Sequence, residues 1–225
     1  MTAPASALDL ASLLCSRLCH DMLSPVGALS NGLELLVEEK DPEMRQRCFE
    51  LLEQSAKASA DKLKFFRLAF GAAGGFGDSV PVNEARALID ALAGSNGRVA
   101  VNWMFGVDAL VKPAVKTLLN LALIGLDALV RGGTLDIGAE VNGGAIEIVV
   151  RAAGQRVAFD PAVGQALEGT LPMSELSSKT APAAMVQQLA ASVGGGVQVH
   201  VTAESLVTSL NLNPVKRRLG KIPCQ

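Results

Sequence analysis

The sequence predicts an α + α/β protein: a long N-terminal helical hairpin that pairs with a second copy as a dimeric four-helix bundle, then an α/β sandwich. Three observations carry this. Apolar residues recur at helical spacing through the first 70 positions. A glycine-rich break, GAAGGFGDS, ends that pattern at 71–79. Beyond it, strand-like and helix-like stretches take turns. The chain therefore divides into a hairpin at 1–70, a linker at 71–79 and an α/β domain at 80–225.

The first helix is expected over 7–39, where Leu10, Leu14, Leu18, Pro25, Leu29, Leu33 and Leu36 draw an apolar stripe at spacings of three, four or seven. Asp41-Pro42 marks a turn and a second start, because a proline in the first helical turn loses no hydrogen bond there. Met44, Cys48, Leu52, Ser55, Ser59, Leu63, Phe66 and Phe70 then keep a similar period. At ~1.5 Å per residue each arm is about 45 Å long. Two such helices cannot bury their stripes alone, so a homodimer through residues 7–70 is expected.

Past the linker, a short strand at Val80–Val82 leads into a helix at NEARALIDALA. RVAVNWMF alternates like a strand, and KPAVKTLLNLALIGLDALVR reads as a long helix with Leu118, Leu119 and Leu123 in the core. TLDIGAEV and AIEIVVRA flank the turn NGG, a hairpin signal. A poorly patterned stretch follows, then a helix at APAAMVQQLAASV, a glycine break, and the strands VQVHV and SLVTSLNL. Together they describe one mostly antiparallel sheet covered by helices on one face.

Composition narrows the partners. The formal net charge of -2 over 225 residues argues against nucleic acid or an anionic membrane surface. The N-terminus lacks the basic region of a signal peptide, and the most apolar window, LLNLALIGLDALV, is too short to span a bilayer and contains Asp127. Cys15, Cys19, Cys48 and Cys224 show no disulfide framework. A cytoplasmic protein with protein or small-molecule partners is expected.

The stretch richest in chemistry is CHDMLSPVGAL at 19–29, which holds His20, one of only two histidines. On a helix, Arg17, His20, Ser24, Gly27, Ala28 and Asn31 share one face. His20 lies about 200° around from Leu18 and so projects toward water. Pro25 cannot donate to the Asp21 carbonyl, and a bend beside His20 is expected. An exposed imidazole beside a carboxylate is a good nucleophile at neutral pH, with Asp21 orienting one ring nitrogen or taking its proton. The same residues also fit an ordinary surface histidine. A metal or haem reading is weaker: Cys15, Cys19 and His20 depart by one residue from haem-attachment spacing, and His20 points about 100° away from the cysteine face. No metal ligands are expected. His200 sits in strand alternation and reads as structural, and the basic tail VKRRLGKIPCQ as solvated.

His20-Asp21 with Pro25 resembles the H-box of histidine-kinase phosphotransfer hairpins, and HDMLSPVGALSNGLELL is similar to the ChpT-type histidine phosphotransferases of bacterial phosphorelays. The resemblance implies that His20 is nucleophile and phosphoryl carrier and Asp21 its orienting acid or base. It implies phosphoryl stabilisation by Arg17 and Ser24, and receiver docking on Met22, Leu23, Pro25, Val26, Gly27 and Asn31. The implied donor is the receiver domain of a CckA-like hybrid kinase, the acceptors are CtrA-like and CpdR-like response regulators, and magnesium comes with the receiver. The α/β domain resembles a degenerate histidine-kinase ATPase domain. In LLNLALIGLDAL, Asn120 stands at the first asparagine of the Asn box, but Ile124 replaces the magnesium-binding one. Ala152 replaces the adenine-reading Asp, Arg156 replaces a glycine, and the glycine lid has become Lys179, Thr180, Ala181 and Pro182. A phosphate cradle needs close backbone with free N–H groups, so no ATP binding is expected. The rival readings are an ATP-using histidine kinase or phosphatase, and a non-catalytic dimeric interaction module.

Overall fold

The computed structural model describes residues 7–71, 78–94 and 97–213. Most of the glycine-rich linker, the basic tail and Cys224 lie outside the described residues. The hairpin consists of α1 (Ala7–Glu38) and α2 (Pro42–Ala69), within a residue or two of the expected bounds. Its bend is chemically complete. Asp41 caps α2 by accepting from the Glu43 N–H at 3.0 Å, with Pro42 behind it. Arg45 donates to the Leu36 and Glu39 carbonyls, which α1 leaves open at its C-terminus.

The α/β domain runs β1 (Ser79–Pro81), α3 (Val82–Gly94), β2 (Val99–Phe105), β3 (Ala109–Val111), α4 (Lys112–Ala128), β4 (Gly133–Asn142), β5 (Ala145–Ala153), α5 (Pro161–Glu168), α6 (Ala181–Ser192), β6 (Gly196–Val201) and β7 (Ser205–Leu212). The five-stranded sheet has the order β2-β4-β5-β7-β6; β2 and β4 run parallel and the other pairs antiparallel. The β4–β5 turn needs positive φ at both central positions, and Gly143 and Gly144 supply it at 58° and 87°. Among these elements, β3 and α5 were not expected from the sequence. β3 is three residues long and pairs only with β1. α5 occupies the stretch that lacked a pattern, capped by Asp160, which accepts from the Ala162 N–H.

One sheet face is apolar: Leu135 and Ile137 of β4, Ile148 and Val150 of β5, and Leu206 and Leu210 of β7 meet α4, which is buried along nearly its whole length. The other face is solvated. There Asp136 accepts from Asn102 and Arg151, and His200 is exposed.

The hairpin is not packed apart from this domain. Phe65, Phe66, Leu68 and Ala69 at the end of α2 sit in the same core as Leu118 and Leu119 of α4. Leu10 and Leu14 of α1 pack on Ala181, Ala184 and Met185 of α6. Residue 70 ends a helix, not a core.

The expected single stripe on α1 resolves into two. Leu10, Leu14, Arg17, Pro25 and Gly32 are buried, whereas Leu33 is 56% exposed. On α2, Met44 and Leu63 are likewise exposed while Cys48 is buried. The physical reason is close approach: a Cβ at Gly32 would stand 2.9 Å from Leu52 Cδ2, so the helices meet at Gly32 and turn Leu33 outward.

Gly125 plays the same part where α4 crosses the sheet, since a Cβ there would stand 2.6 Å from Leu135 Cδ1. Gly125→Val should overpack that crossing and cost about 1–3 kcal/mol. A lowered urea midpoint with an unchanged m-value checks this.

Candidate functional site

His20 stands on α1 with its side chain 79% exposed. Its Nδ1 lies 3.1 Å from Asp21 Oδ1. An ionised carboxylate can only accept, so Nδ1 is the donor in this contact, and Nε2 is the nitrogen left for a partner. Asp21 is fixed in turn: its Oδ2 accepts from Arg17 Nε at 2.8 Å. Arg17 donates from Nη2 to Asp127 Oδ2 at 2.7 Å, and Asp127 belongs to the last turn of α4.

This placement corrects the expectation for Arg17. Helical spacing put it on the exposed face with His20. The structure turns it inward, its side chain 10% exposed, and commits it to two carboxylates. A long side chain reaches sideways from its Cα, so the direction of the helix wheel does not decide where a guanidinium ends.

Pro25 has a consequence on the neighbouring helix. With no N–H at position 25, the Asp21 carbonyl lacks its helical donor. Lys62 of α2 supplies one, its Nζ donating to that carbonyl at 2.8 Å. α1 stays helical through Pro25, with the open carbonyl filled from outside. The proline thus ties the histidine's own turn to α2.

The other expected site residues fall in three places. Ser24 and Asn31 are exposed and Gly27 is half-buried on the histidine's side of α1, with Leu23 beside them at 71% exposure. Pro25 is buried in the hairpin and edges a groove of about 680 Å³, which Ser24, Ala28, Lys57, Asp61 and Lys62 also line. Met22 and Val26 turn away from the histidine. Val26 falls with Leu8, Leu33 and Val37 on an exposed apolar stripe about 120° around α1 from both His20 and the buried face.

Positions that resemble an ATP site are taken up by packing. Asn120 is fully buried and donates to the Ala69 carbonyl at 3.2 Å, which clamps the end of α2. Ile124 and Ala152 lie in the apolar core. Pro182 is buried in the first turn of α6, and Lys179 pairs with Asp160 at 2.9 Å. The hydrogen bond from Lys179, joined by the Ala162 N–H, holds the Asp160 carboxyl below the usual carboxylate range. Among the described residues, no cluster of His, Cys, Asp or Glu is placed to hold a metal ion, and no helix is long and apolar enough to cross a membrane.

Sequence reasoning missed Lys62 and Asp127. Each left a trace: Pro25 announces an orphaned carbonyl that some donor must fill, and Asp127 is the lone acid in an apolar helix.

The α/β domain carries the family signature. Residues 82–205 match the model of the histidine phosphotransferase C-terminal domain, and the chain belongs to the histidine phosphotransferases. Among its relatives is the protein phosphotransferase ChpT of Brucella abortus (strain 2308). It is 35% identical over 204 residues, which cover 91% of this chain and 96% of that protein. A solved bacterial phosphotransferase superimposes with a TM-score of 0.81 at 33% identity, covering 93% of this chain and 99% of the other. The histidine kinase AdeS of Acinetobacter baumannii superimposes with a TM-score of 0.46 at 10% identity, covering 86% of this chain and 97% of that one.

Because Lys62 fills the carbonyl that Pro25 leaves open, Lys62→Met should destabilise the fold by about 1 kcal/mol, the scale of one hydrogen bond lost at a half-buried acceptor. Pro25→Ala restores an N–H and should recover part of that loss in the Lys62→Met background. Urea denaturation of the two single variants and the double variant measures the coupling.

Proposed function

We propose that this histidine phosphotransferase relays a phosphoryl group from one receiver domain to another through Nε2 of His20. The observation that carries the reading is the exposed Nε2 on an imidazole whose Nδ1 is anchored to Asp21. The Nε2 lone pair attacks the phosphorus of a receiver's aspartyl phosphate. The N–P bond forms as the P–O bond to the aspartyl carboxylate breaks, and that carboxylate leaves with the electron pair. The ring gains positive charge, which Asp21 offsets across its hydrogen bond to Nδ1. Transfer to the second receiver runs the same step in reverse. Magnesium, which neutralises charge on the moving phosphoryl group, comes with the receiver.

The receiver docks on His20's side of the hairpin, over Leu23, Ser24, Gly27 and Asn31 and along the adjoining groove. CckA-like donors and CtrA-like or CpdR-like acceptors are the regulators to test first. ATP takes no part: Ile124 and Ala152, where the kinase family places nucleotide ligands, are core residues here. The two exposed free thiols, Cys15 and Cys19, suit a reducing cytoplasm.

The working unit is a homodimer. Support comes from the apolar stripe of Leu8, Val26, Leu33 and Val37, which the described residues leave uncovered and which faces away from the histidine. A second hairpin laid on it completes a four-helix bundle and leaves both histidines accessible.

Incubation with a receiver domain charged by acetyl phosphate should label the wild-type chain with an acid-labile phosphoryl group and leave His20→Ala unlabelled. Labelling that survives in His20→Ala would remove His20 from the mechanism. For the dimer, light scattering at micromolar concentration should give twice the chain mass. Val26→Lys together with Leu33→Lys should return it to the mass of one chain.

A further inference from the structure

Asp127 is far from the histidine in sequence, lies in the α/β domain, and meets His20 only through Arg17 and Asp21. We propose that it is nevertheless a positioning residue for phosphotransfer, acting through Arg17 to keep one oxygen of Asp21 free for His20. The proposal rests on the reading that His20 is the nucleophile.

The argument starts from the shape of the guanidinium, a planar fork that takes a carboxylate by two parallel hydrogen bonds wherever nothing prevents it. Here it does not. Arg17 gives Nε to Asp21 Oδ2 and Nη2 to Asp127 Oδ2, at 2.8 and 2.7 Å. Asp21 is therefore held by one oxygen, and Oδ1 remains for His20 Nδ1 at 3.1 Å. Remove the Asp127 charge, and the fork is free to swing onto both oxygens of Asp21. That competes with His20 for Oδ1 and loosens the hydrogen bond that sets its tautomer.

Asp127 has its side chain 44% exposed, but the helix that carries it is packed in place. It is the only acid on α4, whose residues from Leu118 to Gly125 are all buried. The same helix clamps the end of α2 through Asn120. The α/β domain thus reaches the histidine through a polar chain, Asp127 to Arg17 to Asp21 to His20.

The test uses Asp127→Asn, near in shape but neutral, with Asp127→Glu as the charge-keeping control. The chain has only two histidines, so the ring nitrogens of His20 can be followed by 15N NMR with His200 as an internal reference. The expected result for Asp127→Asn is a shift of the His20 ring signals away from the pure Nδ1–H tautomer. Labelling by an acetyl-phosphate-charged receiver should slow at least about tenfold, the scale on which small misplacement of a reacting group acts. Asp127→Glu should restore both readouts in large part. In an Asp21→Asn background, Asp127→Asn should add no further slowing. Unchanged His20 signals in Asp127→Asn, or equal slowing with and without Asp21, would overturn the proposal. The NMR arm needs no receiver, so it stands or falls separately from the His20→Ala labelling that tests the nucleophile itself.

Discussion

Arg17 is a full charge almost wholly out of water, and its burial orders the surroundings. A buried guanidinium without partners costs several kcal/mol, so carboxylates have to meet it. One comes from the next turn of its own helix and the other from the far end of α4. Bringing them together fixes where α1 crosses the α/β domain. Leu10 and Leu14 can then seat on α6, and the last turns of α2 can enter the core with α4. The ion pair by itself adds little net stability, because desolvation offsets much of the attraction. What it supplies is a polar link between α1 and the end of α4.

Seen from α1, the helix has three duties spread around its circumference. One side packs on α2, with Gly32 letting the backbones close. A second side presents His20 to solvent, and a third carries an uncovered apolar stripe. The exposed histidine is steadied from the packed side of the helix. Lys62, filling the carbonyl that Pro25 leaves open, ties down the very turn on which His20 and Asp21 sit. The proline is thus the origin of a cross-helix bond, beyond any effect it has on the course of α1.

The α/β domain has turned positions that resemble nucleotide ligands into packing. Ile124 and Ala152 contribute to the core, Asn120 clamps α2, and Lys179 steadies the cap of α5. A domain rebuilt in this way serves as a rigid base for the hairpin.

Most of the fold was legible in the sequence because it is decided locally. Apolar periodicity marks α1, α2, α4 and α6; Asp41-Pro42 marks the break between α1 and α2 and the Asn-Gly-Gly turn the one between β4 and β5; the spacing of His20 from Leu18 is enough to place it in solvent. The short pieces, β3 and α5, escaped because three or eight residues carry too little pattern. The site was legible in part. His20, Asp21 and Pro25 announce themselves, and the Nδ1 contact to Asp21 joins adjacent residues. The contacts that hold them do not. Lys62 reaches a carbonyl 41 residues away and Arg17 a carboxylate 110 residues away. No local spacing encodes such a pair, since a flexible cation goes wherever the packed backbone has left an unpaired oxygen. The chemistry of the histidine's turn was thus written in the sequence, and its anchoring was decided only when the helices met.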